Sequence, residues 1–170
     1  MTIHFGDSTS IATAPPFVSY AIIADKKTSG TNGGSLTSGG WRLRDLNTTV
    51  SDTDSIVTLY TTGSYENQFE LGAGSYFIDL SVPCRQGTSY TCKLYNETDG
   101  GDIALGTSEN AHISYIGTTR SFLSTRFTLG GTKRLSVYIK SSHSVSGTGM
   151  GSGHNSGTNT YTVVKIFKEN

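Results

Sequence analysis

Apolar residues recur at every second position over short runs of this chain, and no window carries them at a 3.6-residue helical period. SYAIIAD (19–25) predicts a first strand, and WRLRDLN (41–47), with Trp41, Leu43 and Leu46, a short second one. Further strands are expected at SIVTLY (55–60), NQFEL (67–71), GSYFIDLSV (74–82), SYTCKLYN (89–96), DIALGTS (102–108), TTRSFLSTRFTL (118–129), RLSVYIKS (134–141) and TYTVVKIF (160–167). LGAGS, ETDGGD, LGGTK and SGTGMGSGHNSGT mark the turns between them. KKTSGTNGGSLTSGG (26–40), whose one apolar residue is Leu36, predicts a long surface loop. Short strands at this spacing, with no internal repeat, predict an all-β antiparallel sandwich or jelly roll.

Two strands are apolar on both sides. In GSYFIDLSV one set is Tyr76, Ile78, Leu80 and Val82, while the other, Phe77, Asp79 and Ser81, opens with an aromatic. In YTVVKIF, Val164 and Ile166 point one way and Tyr161, Val163 and Phe167 the other. A lone antiparallel sandwich turns one side of each strand to water. Something must cover the second side.

Composition narrows the classes. The chain has 170 residues, 13 basic and 13 acidic, for a net charge of zero. That argues against a nucleic-acid partner, which calls for a basic stripe. A domain of this size buries roughly 70% of its unfolded surface and needs no staples. The 21 glycines, against 3 prolines, fit a β protein with many tight turns. The start, MTIHFGDSTSIATAPP, has neither the basic nor the apolar region of a secretory signal, and no apolar run is long enough for a membrane-spanning helix. The chain is expected to fold in the cell that makes it and not to insert in a membrane. Residues 1–19 read as an extended arm that Pro15 and Pro16 stiffen.

Candidate chemistry changes this picture little. No G-x-S-x-G elbow opens a helix, so no enzyme activity and no catalytic residues are expected. Asp52 with Asp54, and Asp99 with Asp102, have a spacing that calcium ligands use, but Asp is also a preferred turn residue. His4, His143 and His154 lack the companions of a zinc site. No metal or cofactor is expected. NTT (47–49) and NET (96–98) match the glycosylation triplet, a match common by chance. Cys84 and Cys92 bracket RQGTSYT; a hairpin symmetric about Thr88 would set them opposite each other, as a cross-strand pair held as reduced thiols in a cytosol.

The runs AGSYFIDLSVP, KLYNETD, GTSE (106–109), RFTL (126–129) and NSGTNTYTVVKIFKE, in that order, resemble a complement-type globular-head jelly roll of the tumour necrosis factor-like superfamily, in the variants that occur in bacteriophage structural proteins. GGWRLRDLNT resembles the W-x-x-R-x-L-N-T opening of the phage versions. The likeness covers about residues 40–170. It departs from the pattern at Thr125, where a glycine is expected, and at Cys84 and Cys92. It implies a ten-stranded jelly roll assembled as a homotrimer, with residues 1–40 as arm, first strand and glycine-rich loop, and 41–170 as the head domain. A trimer would cover the second apolar face. Phe77, Tyr138, Val163 and Phe167, a patch that a soluble monomer would avoid exposing, are then the candidate interface residues. The function this implies is a virion structural protein, a surface decoration or short fibre attached to the capsid or tail through residues 1–19. The alternative is a tail-fibre or tail-tip adhesin, for which a host surface glycan is the expected partner.

Overall fold

In the computed structural model the described residues are 2–4, 10–12, 17–114 and 117–169, with side chains from Ser19 onward. β1 (Thr2–His4) and β2 (Ser10–Ala12) pair with each other in a small antiparallel sheet. Then follow β3 (Phe17–Lys27), β4 (Arg42–Leu43), β5 (Thr48–Asp52), β6 (Val57–Tyr60), β7 (Gln68–Leu71) and β8 (Gly74–Arg85). The remainder are β9 (Thr88–Asn96), β10 (Gly101–Leu105), β11 (Glu109–Ala111), β12 (Thr118–Leu129), β13 (Lys133–Ser141) and β14 (Asn159–Glu169).

Two antiparallel sheets form the sandwich. One has five strands in the order β12-β8-β14-β3-β5. The other has seven, in the order β10-β9-β13-β7-β6, with β11 also on β9 and β4 also on β13. Because β10 and β11 share one edge of β9, and β4 and β7 one edge of β13, each sheet has five strand positions. The chain is an all-β, antiparallel jelly roll. Period-two alternation makes the core: Tyr76, Ile78, Leu80 and Val82 of β8, with Val164 and Ile166 of β14, pack against Cys92 and Leu94 of β9 and Leu135, Val137 and Ile139 of β13.

The hairpin expected about Thr88 does not form. β8 has β12 on one edge and β14 on the other, so no edge remains for β9. Gln86 and Thr88, both at φ 53°, turn the chain across to the other sheet. Cys84 and Cys92 therefore lie in opposite layers, each a free thiol buried in the common core. Burial pushes the Cys84 thiol up to about 11 and raises that of Cys92 as well.

The expected division at residue 40 falls inside the sandwich. β3 is an interior strand between β14 and β5, and Ala21, Ile23 and Leu36 belong to the core. The expected arm likewise loses residues 17–19 to β3, while Pro15 and Pro16 lie outside the described residues. β5 and β11 were not expected, because TTVSD and ENA carry almost no apolar signal. SYAIIAD, GSYFIDLSV, TTRSFLSTRFTL, RLSVYIKS and TYTVVKIF lie within β3, β8, β12, β13 and β14, or within a residue of their ends.

The two glycine-rich loops bind each other. Leu36 and Val145 exchange backbone hydrogen bonds, Gly33 N–H donates to Gly151 O at 2.9 Å, and Gly30 N–H to His154 O at 2.9 Å. A Cβ on Gly33 would sit 2.4 Å from the Met150 carbonyl oxygen, so the approach requires glycine there. Beneath the loops lies a fully buried Arg44. Its Nε donates to Thr162 Oγ1 and its Nη2 to Met150 O, both at 2.9 Å. Burial draws its guanidinium down to about 10, which leaves it charged at neutral pH, and Asp25 and Asp45 supply the opposing charge.

Candidate functional site

The outward face of the five-stranded sheet is the feature that the core does not explain. Three rungs cross it. The first runs from Phe122 of β12 through Ser81 and Val163 to Ala24 of β3. The second runs Ser124, Asp79, Lys165 and Ile22. The third runs Arg126, Phe77, Phe167 and Tyr20. Phe77 and Phe167 meet with ring centroids 6.1 Å apart.

Charge on this face is neutralised within it. Lys165 Nζ lies 3.1 Å from Asp79 Oδ2, and Ser124 Oγ donates to Asp79 Oδ1 at 2.9 Å. At the rim Arg126 Nη2 lies 2.7 Å from Glu169 Oε2, and this pairing holds the guanidinium above its usual range. The face thus presents two apolar rungs, Phe122–Val163 and Phe77–Phe167–Tyr20, around one internally paired charged rung.

A second apolar element adjoins it at the side of the sandwich. There Thr107, just after β10, stitches the two sheets: its N–H donates to Phe122 O at 2.7 Å, and Phe122 N–H donates to its Oγ1 at 3.0 Å. Beside this stitch Leu105 is 62% exposed and Phe122 50% exposed.

Of the expected interface residues, Phe77, Val163 and Phe167 come together on this face. Tyr138 does not. It lies on the outward face of the other sheet, where its hydroxyl donates to Glu97 Oε1 at 2.7 Å and its ring meets Tyr95 edge-on at 5.8 Å. The expected four-residue patch is therefore three residues plus Tyr20, Ile22 and Phe122. Alternation in SYAIIAD and in RSFLST carried that signal, since apolar residues occupy both parities in each.

The other candidates serve turns. Asp52 accepts from the N–H groups of Ile56 and Val57, Asp99 pairs with Lys133 at 2.6 Å, and Asp102 pairs with Lys93. No group of three or more candidate metal ligands occurs among the described residues. His154 Nδ1 bonds Ser156 at 2.8 Å, His143 N–H donates to Gly87 O, and the His4 side chain lies outside the described residues. Asn47 and Asn96 of the two triplets each bond a neighbouring backbone through their side chains.

No protein-family model matches the chain, and no curated protein does. Solved structures do. A crystal structure of murine APRIL at pH 5.0 aligns over 88% of this chain and 98% of its own at TM-score 0.55 and 8% identity. The globular domain of zebrafish complement 1qA aligns over 91% and 99% at TM-score 0.51 and 9% identity. Eiger, a tumour necrosis factor of S. frugiperda, aligns over 92% and 94% at TM-score 0.50 and 13% identity. The fold is the tumour necrosis factor-like jelly roll, and at these identities the likeness is one of fold.

Proposed function

We propose that the protein is a bacteriophage virion structural protein, a homotrimeric surface decoration or short fibre whose N-terminal arm attaches it to the capsid or tail. The observation that carries the assembly is the apolar outward face of the five-stranded sheet, with an apolar edge on the same molecule. Tyr20, Phe77, Phe122, Val163 and Phe167 form the face, and the exposed Leu105 beside Phe122 extends it at the edge. An edge that packs on a face is a heterologous contact, which closes into a ring when the rotation between copies closes and otherwise runs on as a filament. The trimeric count and the virion setting rest on the phage-type runs from GGWRLRDLNT to NSGTNTYTVVKIFKE.

In this reading no reaction is catalysed. The segment before β3 engages another virion protein. Light scattering on the purified chain tests the assembly, and a three-chain mass is expected. Immunogold labelling of intact particles tests the setting; label on capsid or tail is expected, and unlabelled particles would contradict it.

A further inference from the structure

On the opposite layer from the assembly face, a groove of about 720 Å³ opens at the end of β9 and β13. Ser89, Thr91 and Lys140 line it from those strands, Ser38 and Gly39 come from the first glycine-rich loop, and Ser108, Glu109 and Asn110 lead into and along β11. Its volume lies in the range of small-ligand sites. Some lining hydroxyls are committed: Thr91 Oγ1 donates to Gly106 O, and Ser38 Oγ accepts from Ser144 Oγ. The side chains of Ser89, Ser108, Asn110 and Lys140 find no hydrogen-bond partner among the described residues.

The same sheet face continues into aromatic rings. Thr91 pairs with Lys140, and the next outward rung along these strands, about 7 Å on, is Lys93 with Tyr138. Lys93 Nζ stands 4.6 Å from the Trp41 ring centroid and 4.5 Å from that of Tyr95, and is tied to Asp102 Oδ1 at 2.5 Å. Lys93 thereby holds Trp41, a partly buried ring two residues beyond groove-lining Gly39, over the rung next to the groove.

We infer that this groove binds a neutral saccharide. One carboxylate (Glu109) and one ammonium (Lys140) leave it without net charge, which suits neither a phosphate nor a polyanion. Free hydroxyl, amide, carboxylate and ammonium groups offer donors and acceptors together, as a polyhydroxylated ligand demands. A sugar unit that extends from the groove to the neighbouring Lys93–Tyr138 rung would meet the indole of Trp41, an apolar surface for the C–H face of a pyranose. The inference does not depend on the virion reading or on the trimer, because the groove's residues come from one chain.

Saturation-transfer NMR of the full chain with neutral disaccharides (lactose, maltose, cellobiose), alongside a glycan array, tests it. Transfer to at least one neutral sugar is expected. Ser89→Trp, which fills the groove from an exposed position, and Trp41→Ala should each lower affinity by about tenfold or more, which is about 1.4 kcal/mol. Circular dichroism and mass of the variants should match the native chain. Silence across the array and panel, binding of acidic glycans alone, or binding that survives Ser89→Trp would each overturn the inference.

Discussion

Replacing Arg44 by methionine would remove a fully buried charge that helps to hold the second glycine-rich loop onto the sandwich. Arg44 is fully buried; it donates at 2.9 Å to Thr162 Oγ1 and at 2.9 Å to the Met150 carbonyl. Hydrogen bonds from a charged group contribute about 1.5–3 kcal/mol each, and breaking a buried charge pair by removing one member costs about 3–5 kcal/mol. Methionine keeps the unbranched apolar stem but not the guanidinium end, so a small cavity adds to the lost bonds, and the expected loss is about 3–5 kcal/mol. With a urea dependence of about 2 kcal/mol per molar, the midpoint should fall by about 2 M. Asp25, buried and 3.2 Å from Lys27 Nζ, loses a neighbouring cation in this variant. The double variant with Asp25→Asn should therefore be more stable than the two single losses added together, by at least about 1 kcal/mol. The cycle is measured by urea unfolding at fixed protein concentration. A loss under about 1 kcal/mol for Arg44→Met would refute the reasoning, because the buried charge would then contribute nothing net.

Burial also raises the Asp25 carboxyl above 3.8, against the pull of Lys27. Its charged form is disfavoured in the fold, so stability from this group is fully present below 3.8 and lost as pH rises through the raised value; Asp25→Asn should flatten that slope in urea midpoints measured across the acidic range. Phe77→Asp places a charge against the Phe167 ring and the neighbouring copy, and should dissociate the assembly at a cost of several kcal/mol; a variant that keeps native mass by sedimentation would count against the face. Deleting residues 1–16, which stops short of β3, should leave the melting temperature nearly unchanged while abolishing incorporation into particles; misfolding of the truncated chain would make the arm part of the head. Cys84→Ala with Cys92→Ala should fold and assemble with a loss of about 1–3 kcal/mol. In the native chain both thiols should resist alkylation at pH 8 until urea unfolds it, since burial holds Cys84 up at about 11.

What the sequence made legible was set by alternation. Long interior strands such as β8 and β14 carry runs of apolar residues at alternate positions, so their existence could be read directly, while apolar residues on both parities left their facing open. β5 and β11 could not, since edge strands made of Thr, Ser, Asp, Glu and Asn are fixed by neighbours rather than by their own pattern. The misplaced cysteines have the same origin: a short loop between two strands reads as a hairpin unless the free edges of each strand are known, and pairing is a long-range property. Alternation in RLSVYIKS puts Tyr138 on an outward face but does not say on which layer. Arg44 gave no warning, because its burial depends on Thr162 and Met150, more than a hundred residues away.

Sedimentation of the full-length chain at micromolar concentration, with Phe77→Asp run beside it, tests the assembly most directly. The native chain should sediment as a single species of three times the 18.1 kDa chain mass, independent of concentration over a hundredfold dilution, and the variant as a monomer or unfolded chain. A native chain that is a stable 18.1 kDa monomer, with Tyr20, Phe77 and Phe167 open to solvent, would contradict the account.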